Sequence, residues 1–302
     1  MYPKSVEIVE VAPRDGLQNE KTLVSSADKI ALIERAIAAG ARRIEVTSFV
    51  NPRAVPQMAD AEDVCAGLPA RDDVTYIGLV MNARGAGRAL ATGRIDQLGA
   101  VAVATDTFAM ANQGQTSDGS VVAASEIIAM ACDAGRTGQV TIGASFGCPF
   151  EGEVAEDRVV EMAVALAEAG PVEIALADTI GVANPAHVAS LVGKVRTALP
   201  DMPLRVHFHN TRGTGLANVW AAVLAGAVTV DAAIGGLGGC PFAPGAAGNV
   251  STEDVVYMLE RAGIDTGIEL SQLLAANHWL GDVMQRDLPG MVAKAPPFPR
   301  QP

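Results

Sequence analysis

The sequence predicts a (β/α)8 TIM barrel with extra C-terminal helices. A short apolar run recurs about every 30 residues, and a helical pattern follows each run. Eight such strand–helix units fit within 302 residues, an ordinary length for one barrel. A doubly wound sheet is the alternative, but no Gly-x-Gly-x-x-Gly motif follows the first strand. We therefore expect one domain over residues 1–302, with 268–302 as a helical extension and tail.

The strands are predicted from apolar runs rich in β-branched residues. They cover 6–12, 43–49, 75–80, 98–104, 140–146, 172–177, 204–209 and 228–234. Helices are predicted over 26–39, 59–67, 83–92, 121–134, 155–169, 185–199, 215–225 and 252–261, with one or two more at 270–276 and 280–286. A long loop is expected before residue 121, and the Pro-rich end 296–302 should be irregular.

Charge and cysteine content restrict the class of protein. The net charge of −12 argues against binding to nucleic acid or to an anionic membrane, although it leaves room for an anionic small molecule. Four scattered cysteines (65, 132, 148 and 240) without a CxxC motif indicate reduced thiols in a cytoplasmic protein. The first strand begins within about five residues, so no signal peptide is expected.

One stretch without charge, residues 213–230, raises the question of a membrane span. Gly213, Gly215 and Gly226 interrupt it, and Asp231 follows at once. A buried helix that leads into a buried strand explains the stretch better than a membrane helix. We therefore expect a soluble protein that does not bind membranes.

Polar residues with catalytic or metal-binding chemistry follow several of the predicted strands. His207 and His209 are two apart on the seventh strand, so both imidazoles point to one face. In a (β/α)8 barrel the carboxyl ends of the strands meet at the face that carries the chemistry. The other residues of these types at that face are Arg14, Asp15, Glu45, Asp178, Cys240 and Asn249.

Four of these residues form a candidate ligand set for a metal ion. Asp15, His207, His209 and Asn249 offer two oxygen and two nitrogen atoms, a mixture that suits Mg²⁺, Mn²⁺ or Co²⁺. Zinc stays an alternative because Cys240 is close by. Taken singly, Asp15 and Asn249 could each be no more than a turn residue.

The remaining residues suggest how charge is handled. Arg14 beside a metal-bound Asp15 suits a reaction that places negative charge on a carbonyl oxygen, as an enolate does. Cys240 lies in a Gly-rich loop and could be an acid, a nucleophile or merely a small buried residue. Glu45 and Asp178 are candidate catalytic carboxylates, or they could be structural ion-pair partners of Arg14 or of Arg43.

The sequence resembles the 3-hydroxy-3-methylglutaryl-CoA lyase family from about residue 6 to residue 288. The matching motifs are VEVAPRDGLQNE at 9–20, TSFVNP at 47–52, VPQM at 55–58, GCPFEG at 147–152, DTIG at 178–181, the His pair, GLGGCPF at 236–242 and GNVSTED at 248–254. The resemblance implies a divalent-cation-dependent cleavage of 3-hydroxy-3-methylglutaryl-CoA to acetyl-CoA and acetoacetate, as in leucine degradation. A close 3-hydroxy-3-alkylglutaryl-CoA, which would give the matching 3-oxo acid, is the alternative substrate.

The resemblance also implies roles for the residues. The metal ligands would be Asp15, His207, His209 and Asn249. Arg14 would stabilise the enolate oxygen, Cys240 would take part in proton transfer, and Glu45 and Asp178 would be supporting carboxylates. Either Cys240 or His207 would be the acid that protonates the enolate.

The residues after the His pair depart from the family pattern. The lyases continue Asp-Thr-Tyr-Gly, whereas this chain has Asn210, Thr211, Arg212 and Gly213. An Asn at that place is similar to the isopropylmalate-synthase branch, which condenses acetyl-CoA with a 2-oxo acid. Arg212 is predicted either at the pocket mouth, where it would change the acyl group accepted, or on the surface. A non-catalytic metal- or CoA-binding relative is the third alternative, and the tail beyond 268 could support homo-oligomers.

Overall fold

Eight parallel strands close into a barrel in the order in which they occur in the chain. The computed structural model describes residues 2–238, 248–296 and 298. β1 closes the barrel against β8, with Glu7 opposite Thr229 and Glu10 opposite Ala232. The strands are β1 (Glu7–Glu10), β2 (Arg43–Ser48), β3 (Thr75–Leu79), β4 (Gln97–Val103), β5 (Thr137–Gly143), β6 (Ile174–Asp178), β7 (Leu204–Phe208) and β8 (Thr229–Ala232). The predicted (β/α)8 barrel is confirmed.

Helices follow the strands and cover the outside of the barrel. They are α1 (Ser26–Ala38), α2 (Ala61–Ala66), α3 (Ala83–Ala91), α4 (Asp106–Gln113), α5 (Ser117–Asp133), α6 (Glu156–Ala167), α7 (Pro185–Ala198), α8 (Gly215–Ala225), α9 (Thr252–Arg261) and α10 (Leu270–Met284). The aliphatic core lies between these helices and the strands, where Leu32, Leu191 and Val255 are almost fully buried.

Two predicted segments differ from the structure. The expected long loop after β4 contains α4, which ends at Gly114 in the left-handed conformation, at a φ of 70°. Of the one or two helices expected at 270–276 and 280–286, the structure has one continuous helix, α10, which ends at Met284. Within it, the side chain of Asn277 is buried and donates a 2.6 Å hydrogen bond to Glu253. Most of the predicted irregular end, 296–302, lies outside the described residues.

The barrel interior contains ion pairs as well as aliphatic side chains. Near the amino ends of the strands, Arg43 donates to Glu7 at 2.8 Å and to Gln97 at 2.8 Å, and it also pairs with Glu173. Further along the interior, Arg205 on β7 lies 3.5 Å from both Glu173 and Asp231. The charges alternate in sign along this path toward the carboxyl ends of the strands.

Two further features bear on the predictions from composition. Within residues 2–238 and 248–296, no helix is both long and apolar enough to cross a bilayer. Cys65, Cys132 and Cys148 are free thiols.

Candidate metal centre and active site

The turn after β1 places two of the predicted site residues at the carboxyl end of the barrel. Ala12–Gly16 is a single π-helical turn, and its second residue, Pro13, has no N–H that needs a partner. A Cβ at Gly16 would lie 3.1 Å from the Leu237 side chain, so the turn packs closely against the loop after β8. This packing holds Arg14 and Asp15 beside that loop.

Glu10 at the end of β1 joins the same two loops. One carboxyl oxygen, Oε1, accepts N–H groups from Ala12 at 2.8 Å and Ile234 at 2.9 Å. The other oxygen accepts the Thr252 hydroxyl at 2.7 Å. Burial raises the pKa of Glu10 to about 8, although the three hydrogen bonds oppose that change. Glu10 therefore fastens the turn of Arg14 and Asp15 to β8 and α9.

His207 and His209 both face Asp15. Their ring centroids are 5.2 Å apart, and each Nε2 lies 3.8 Å from Asp15 Oδ2. One potential ligand atom from each of the three residues lies within 4.8 Å of the other two. The spacing leaves room for a cation among the three atoms, and the buried Nδ1 of His209 has no hydrogen-bond partner. A carboxylate and two imidazoles fit a divalent cation.

Asn249 contacts this triad through its side-chain nitrogen, whereas the predicted metal ligand is its side-chain oxygen. Its backbone pairs with His209, and its side-chain nitrogen donates to Asp15 Oδ2 at 2.7 Å and to the Leu237 carbonyl at 3.0 Å. Only the amide oxygen can bind a cation, so a ligand role needs the opposite amide orientation, in which oxygen and nitrogen exchange places. The predicted ligand role of Asn249 stays a prediction.

Arg14 lies between two carboxylates at the side of the triad. Its guanidinium pairs with Asp15 and, through Nε, with Glu45. Burial alone lowers the pKa of Arg14, but the two carboxylates raise it above its ordinary value. Burial raises the pKa of Asp15, but Arg14 and the two histidines lower it well below its ordinary value. Asp15 is therefore an ionised carboxylate, as a metal ligand must be.

Asp231 on β8 contacts His207 on the side of the ring opposite Asp15. Its Oδ2 lies 3.1 Å from Nδ1 of His207, the ring nitrogen that points away from Asp15. Burial lowers the pKa of His207, whereas the Asp231 hydrogen bond and the Asp15 charge raise it, and the net change is upward. A carboxylate at one ring nitrogen fixes which nitrogen is left for a cation.

The triad opens into a cavity of about 270 Å³. Arg14, Asp15 and Glu45 form one side of it, and the two histidines and Asp231 form the floor. The other side is partly apolar and includes α4, which a sequence pattern did not reveal. The lining residues there include Leu79, Met81, Val101, Val103, Phe108, Asn112, Thr141 and Thr179. A small polar acyl group fits a site of this composition.

Two predicted catalytic residues are not brought into the cavity by the described structure. Asp178 is fully buried, and its two oxygens accept N–H groups from Val182 at 2.9 Å and Ala183 at 3.0 Å. These contacts fix the loop after β6, and the predicted catalytic role of Asp178 stays a prediction. Cys240 lies outside the described residues, so its role stays a prediction.

The residues that depart from the lyase pattern have structural contacts. Asn210 accepts the Gly215 N–H at 3.0 Å, beside the first turn of α8. Arg212 is exposed and donates to the carbonyls of Ile180 at 2.8 Å and Gly181 at 3.0 Å. Arg212 therefore ties the loop after β7 to the loop after β6 and does not line the cavity.

Sequence reasoning missed Asp231, although the signal was present. Asp231 interrupts an apolar strand, and the register places it opposite His207 on the neighbouring strand. The alternation rule used for His207 and His209 also predicts an inward side chain at 231. Phe108 and Asn112, by contrast, gave no signal, because the helix that carries them was expected to be a loop.

The fold and the site define the class of the protein. It is a (β/α)8 barrel with a carboxylate and two imidazoles placed for a divalent cation, at the barrel face where such proteins carry out chemistry. The chain belongs to the HMGL-like family, whose family model matches residues 5–280. The resemblance to the hydroxymethylglutaryl-CoA lyase family is thereby confirmed.

Individual relatives cover nearly the whole chain. The chain is 44% identical over 304 residues to (R)-citramalyl-CoA lyase of Chloroflexus aurantiacus, covering 97% of this chain and 96% of that protein. It is 41% identical over 288 residues to a hydroxymethylglutaryl-CoA lyase of Bacillus subtilis, with 95% and 96% covered. Among solved structures, an Acinetobacter baumannii HMG-CoA lyase in complex with coenzyme A and 3-methylmalate aligns with a TM-score of 0.93 at 41% identity, covering 99% and 97%.

Proposed function

We propose that the protein cleaves 3-hydroxy-3-methylglutaryl-CoA to acetyl-CoA and acetoacetate with a bound divalent cation, Mg²⁺ or Mn²⁺. The observation that carries this proposal is the convergence of Asp15, His207 and His209 on one point, with Arg14 lining the same cavity. Relatives named for this activity, one of them solved with coenzyme A, support an acyl-CoA as the substrate.

The residues of the triad would hold the cation, with Asn249 as a fourth ligand. A bound cation would bind the hydroxyl and carboxylate oxygens of the substrate and lower the pKa of that hydroxyl. Asp15, His207 and His209 would each bind the cation through one atom, and the ionised state of Asp15 suits a metal ligand.

Arg14 would act on the acetyl half of the substrate. A neighbouring base takes the hydroxyl proton, the carbinol carbon becomes a ketone, and the electron pair of the breaking carbon–carbon bond passes to the thioester side and forms an enolate. A buried guanidinium beside that enolate oxygen stabilises its negative charge. Glu45 pairs with Nε of Arg14, whereas Asp15 pairs with Nη1, and the two contacts together would orient the guanidinium. A proton must then reach the new methyl carbon, and Cys240 and His207 are the two candidates for the acid.

Citramalyl-CoA is the second candidate substrate. The 44% identity to (R)-citramalyl-CoA lyase is the observation that favours it. Citramalyl-CoA carries its carboxylate directly on the carbinol carbon, so the same cleavage would give acetyl-CoA and pyruvate. Read in reverse, that reaction joins acetyl-CoA to a 2-oxo acid, which is the bond made by the condensing alternative.

Product analysis separates these candidates. The purified protein is incubated with Mn²⁺ and either 3-hydroxy-3-methylglutaryl-CoA or citramalyl-CoA, and acetyl-CoA, acetoacetate and pyruvate are each quantified. The proposal expects the higher kcat/KM with the first substrate, by about tenfold or more, the discrimination a single methylene commonly allows. A higher kcat/KM with citramalyl-CoA would select the second candidate. Condensation of acetyl-CoA with a 2-oxo acid, without cleavage of either substrate, would overturn both.

Other assignments complete the proposal. We propose that residues 1–302 form one domain, that the protein acts in the cytoplasm, and that neither nucleic acid nor membrane is a partner. Self-association into a homo-oligomer is proposed as well, with the tail beyond 268 as the segment that would support it. A sedimentation experiment measures that state directly.

A further inference from the structure

Arg205 is a fully buried cation in the barrel that the proposed chemistry does not use. It precedes His207 by two residues on β7, so both side chains point into the barrel. Its exposed fraction is 1%, and it is among the largest fully buried side chains of the described chain. A guanidinium in such a place must be compensated by other charges.

The contacts of Arg205 are incomplete as hydrogen bonds. Nη2 donates to the Thr141 hydroxyl at 3.0 Å, while Nη1 lies 3.5 Å from Asp231 Oδ1 and Nε lies 3.5 Å from Glu173 Oε1. Nε and Nη1 of Arg205 and Oδ1 of Asp231 have no hydrogen-bond partner. Such an arrangement contributes less to stability than apolar packing would, which points to a role in the site.

Of its two carboxylate neighbours, Asp231 depends on Arg205 and Glu173 does not. Glu173 is also bound by Arg43, which donates to its second oxygen at 3.1 Å. Asp231 has ion-pair contacts with Arg205 and His207 alone among the residues that the structure describes. Its two oxygens are divided between them, Oδ1 toward Arg205 and Oδ2 toward His207.

We propose that Arg205 is a positioning residue for the cation site, acting through Asp231 to fix the tautomer and ring orientation of His207. This inference rests on the proposed metal-dependent function. Arg205 holds one oxygen of Asp231 so that the other accepts Nδ1–H of His207 at 3.1 Å. Nε2 of His207 is then left as a free acceptor on the side of Asp15, which is the form a cation requires.

The test is the Mn²⁺ dissociation constant of metal-stripped protein, measured by isothermal titration calorimetry without substrate. Arg205→Met and Asp231→Asn should each weaken binding by about 10- to 100-fold, the usual effect of losing a partner of a metal-ligating histidine. The double variant should bind no more weakly than Asp231→Asn alone, because both changes break one chain of contacts.

Arg43→Met is the matched control, because it removes the other arginine of Glu173 and leaves Asp231 untouched. It should change the Mn²⁺ dissociation constant by less than about twofold, whereas a merely structural role of the buried ion pairs predicts equal losses for Arg43→Met and Arg205→Met. Nitrogen-15 NMR of His207 gives a second readout. The Nδ1–H tautomer should dominate in the wild type and give way to a mixture in Arg205→Met.

Several outcomes overturn the inference. Wild-type Mn²⁺ affinity in Arg205→Met, additive losses in the double variant, or an unchanged His207 tautomer would each do so. If Arg205→Met does not fold, Arg205→Met combined with Glu173→Gln removes one charge of each sign, with Glu173→Gln alone as its control, and the same loss is expected. A wild-type protein that binds no Mn²⁺ would instead contradict the proposed function.

Discussion

Replacing Glu10 with glutamine should stabilise the protein at alkaline pH and leave it almost unchanged at acidic pH. In the folded protein Oε1 accepts two N–H groups and Oε2 faces the Thr252 hydroxyl. A protonated carboxyl group and a glutamine amide both keep an acceptor oxygen for the two N–H groups, and the Thr252 hydroxyl oxygen can accept from their second side. Ionised Glu10 accepts the Thr252 hydroxyl but is buried as a charge, which is the main cause of its raised pKa.

The magnitude follows from the pKa of Glu10, which is 4.5 ordinarily and about 8 in the folded protein. Below pH 4.5 both the folded and unfolded chains hold the proton, and the stabilisation is fully present. As the pH rises from 4.5 to 8, the unfolded chain loses the proton first, so the stabilisation is lost. The interval of about 3.5 pH units corresponds to roughly 5 kcal/mol at about 1.4 kcal/mol per unit.

Urea unfolding of metal-free protein, followed by tryptophan fluorescence, measures this effect at pH 5, 7 and 9. The chain has two tryptophans to report it. Glu10→Gln should match the wild type within about 1 kcal/mol at pH 5 and exceed its free energy of unfolding by roughly 5 kcal/mol at pH 9. Glu34→Gln, at an exposed position on α1, is the control and should show no such trend. A difference between Glu10→Gln and wild type that stays constant with pH would refute the reasoning.

Three further predictions concern the site and its support. Arg14→Gln should lower kcat by roughly 10³-fold with an unchanged circular dichroism spectrum, because its charge acts on the transition state; near-wild-type turnover would remove its enolate role. His209→Ala should weaken Mn²⁺ binding at least about tenfold in calorimetry, and an unaltered titration would exclude it as a ligand. Gly290→Ala should lower the free energy of unfolding by about 1–3 kcal/mol, since its Cβ would lie 2.1 Å from Glu253 Oε1. Gly87→Ala, in open space on α3, should raise it by about 0.5–1 kcal/mol, and equal effects at both glycines would contradict the steric argument.

The barrel and the triad were accessible from the sequence because both depend on local periodicity. The repeat of strand and helix predicts which loops share a face, and that face then brings Asp15 and the His pair together, although the turn of Asp15 is nearly 200 residues away from them in the chain. The position of Asp15 at 3.8 Å from both Nε2 atoms needs the three-dimensional structure.

Other parts of the site depend on tertiary contacts that no local pattern encodes. Asp178 lies at the end of β6, and its hydrogen bonds with the N–H groups of Val182 and Ala183 are visible only in the three-dimensional structure. Arg212 is predicted at the pocket mouth or on the surface, and its bonds to the carbonyls of Ile180 and Gly181 join two loops that are distant in the sequence. The helix α4 escaped prediction because its apolar pattern is short and weak.

The alternating charges inside the barrel constrain how this protein can evolve. Arg43, Glu173, Arg205 and Asp231 each have at least one neighbour of opposite charge, so a single neutral replacement removes part of the charge compensation of another buried group. Paired replacements that remove one charge of each sign avoid that penalty. The interior residues are therefore epistatic, and substitutions along this path should accumulate in compensating pairs, while the aliphatic layer outside the strands can change one residue at a time.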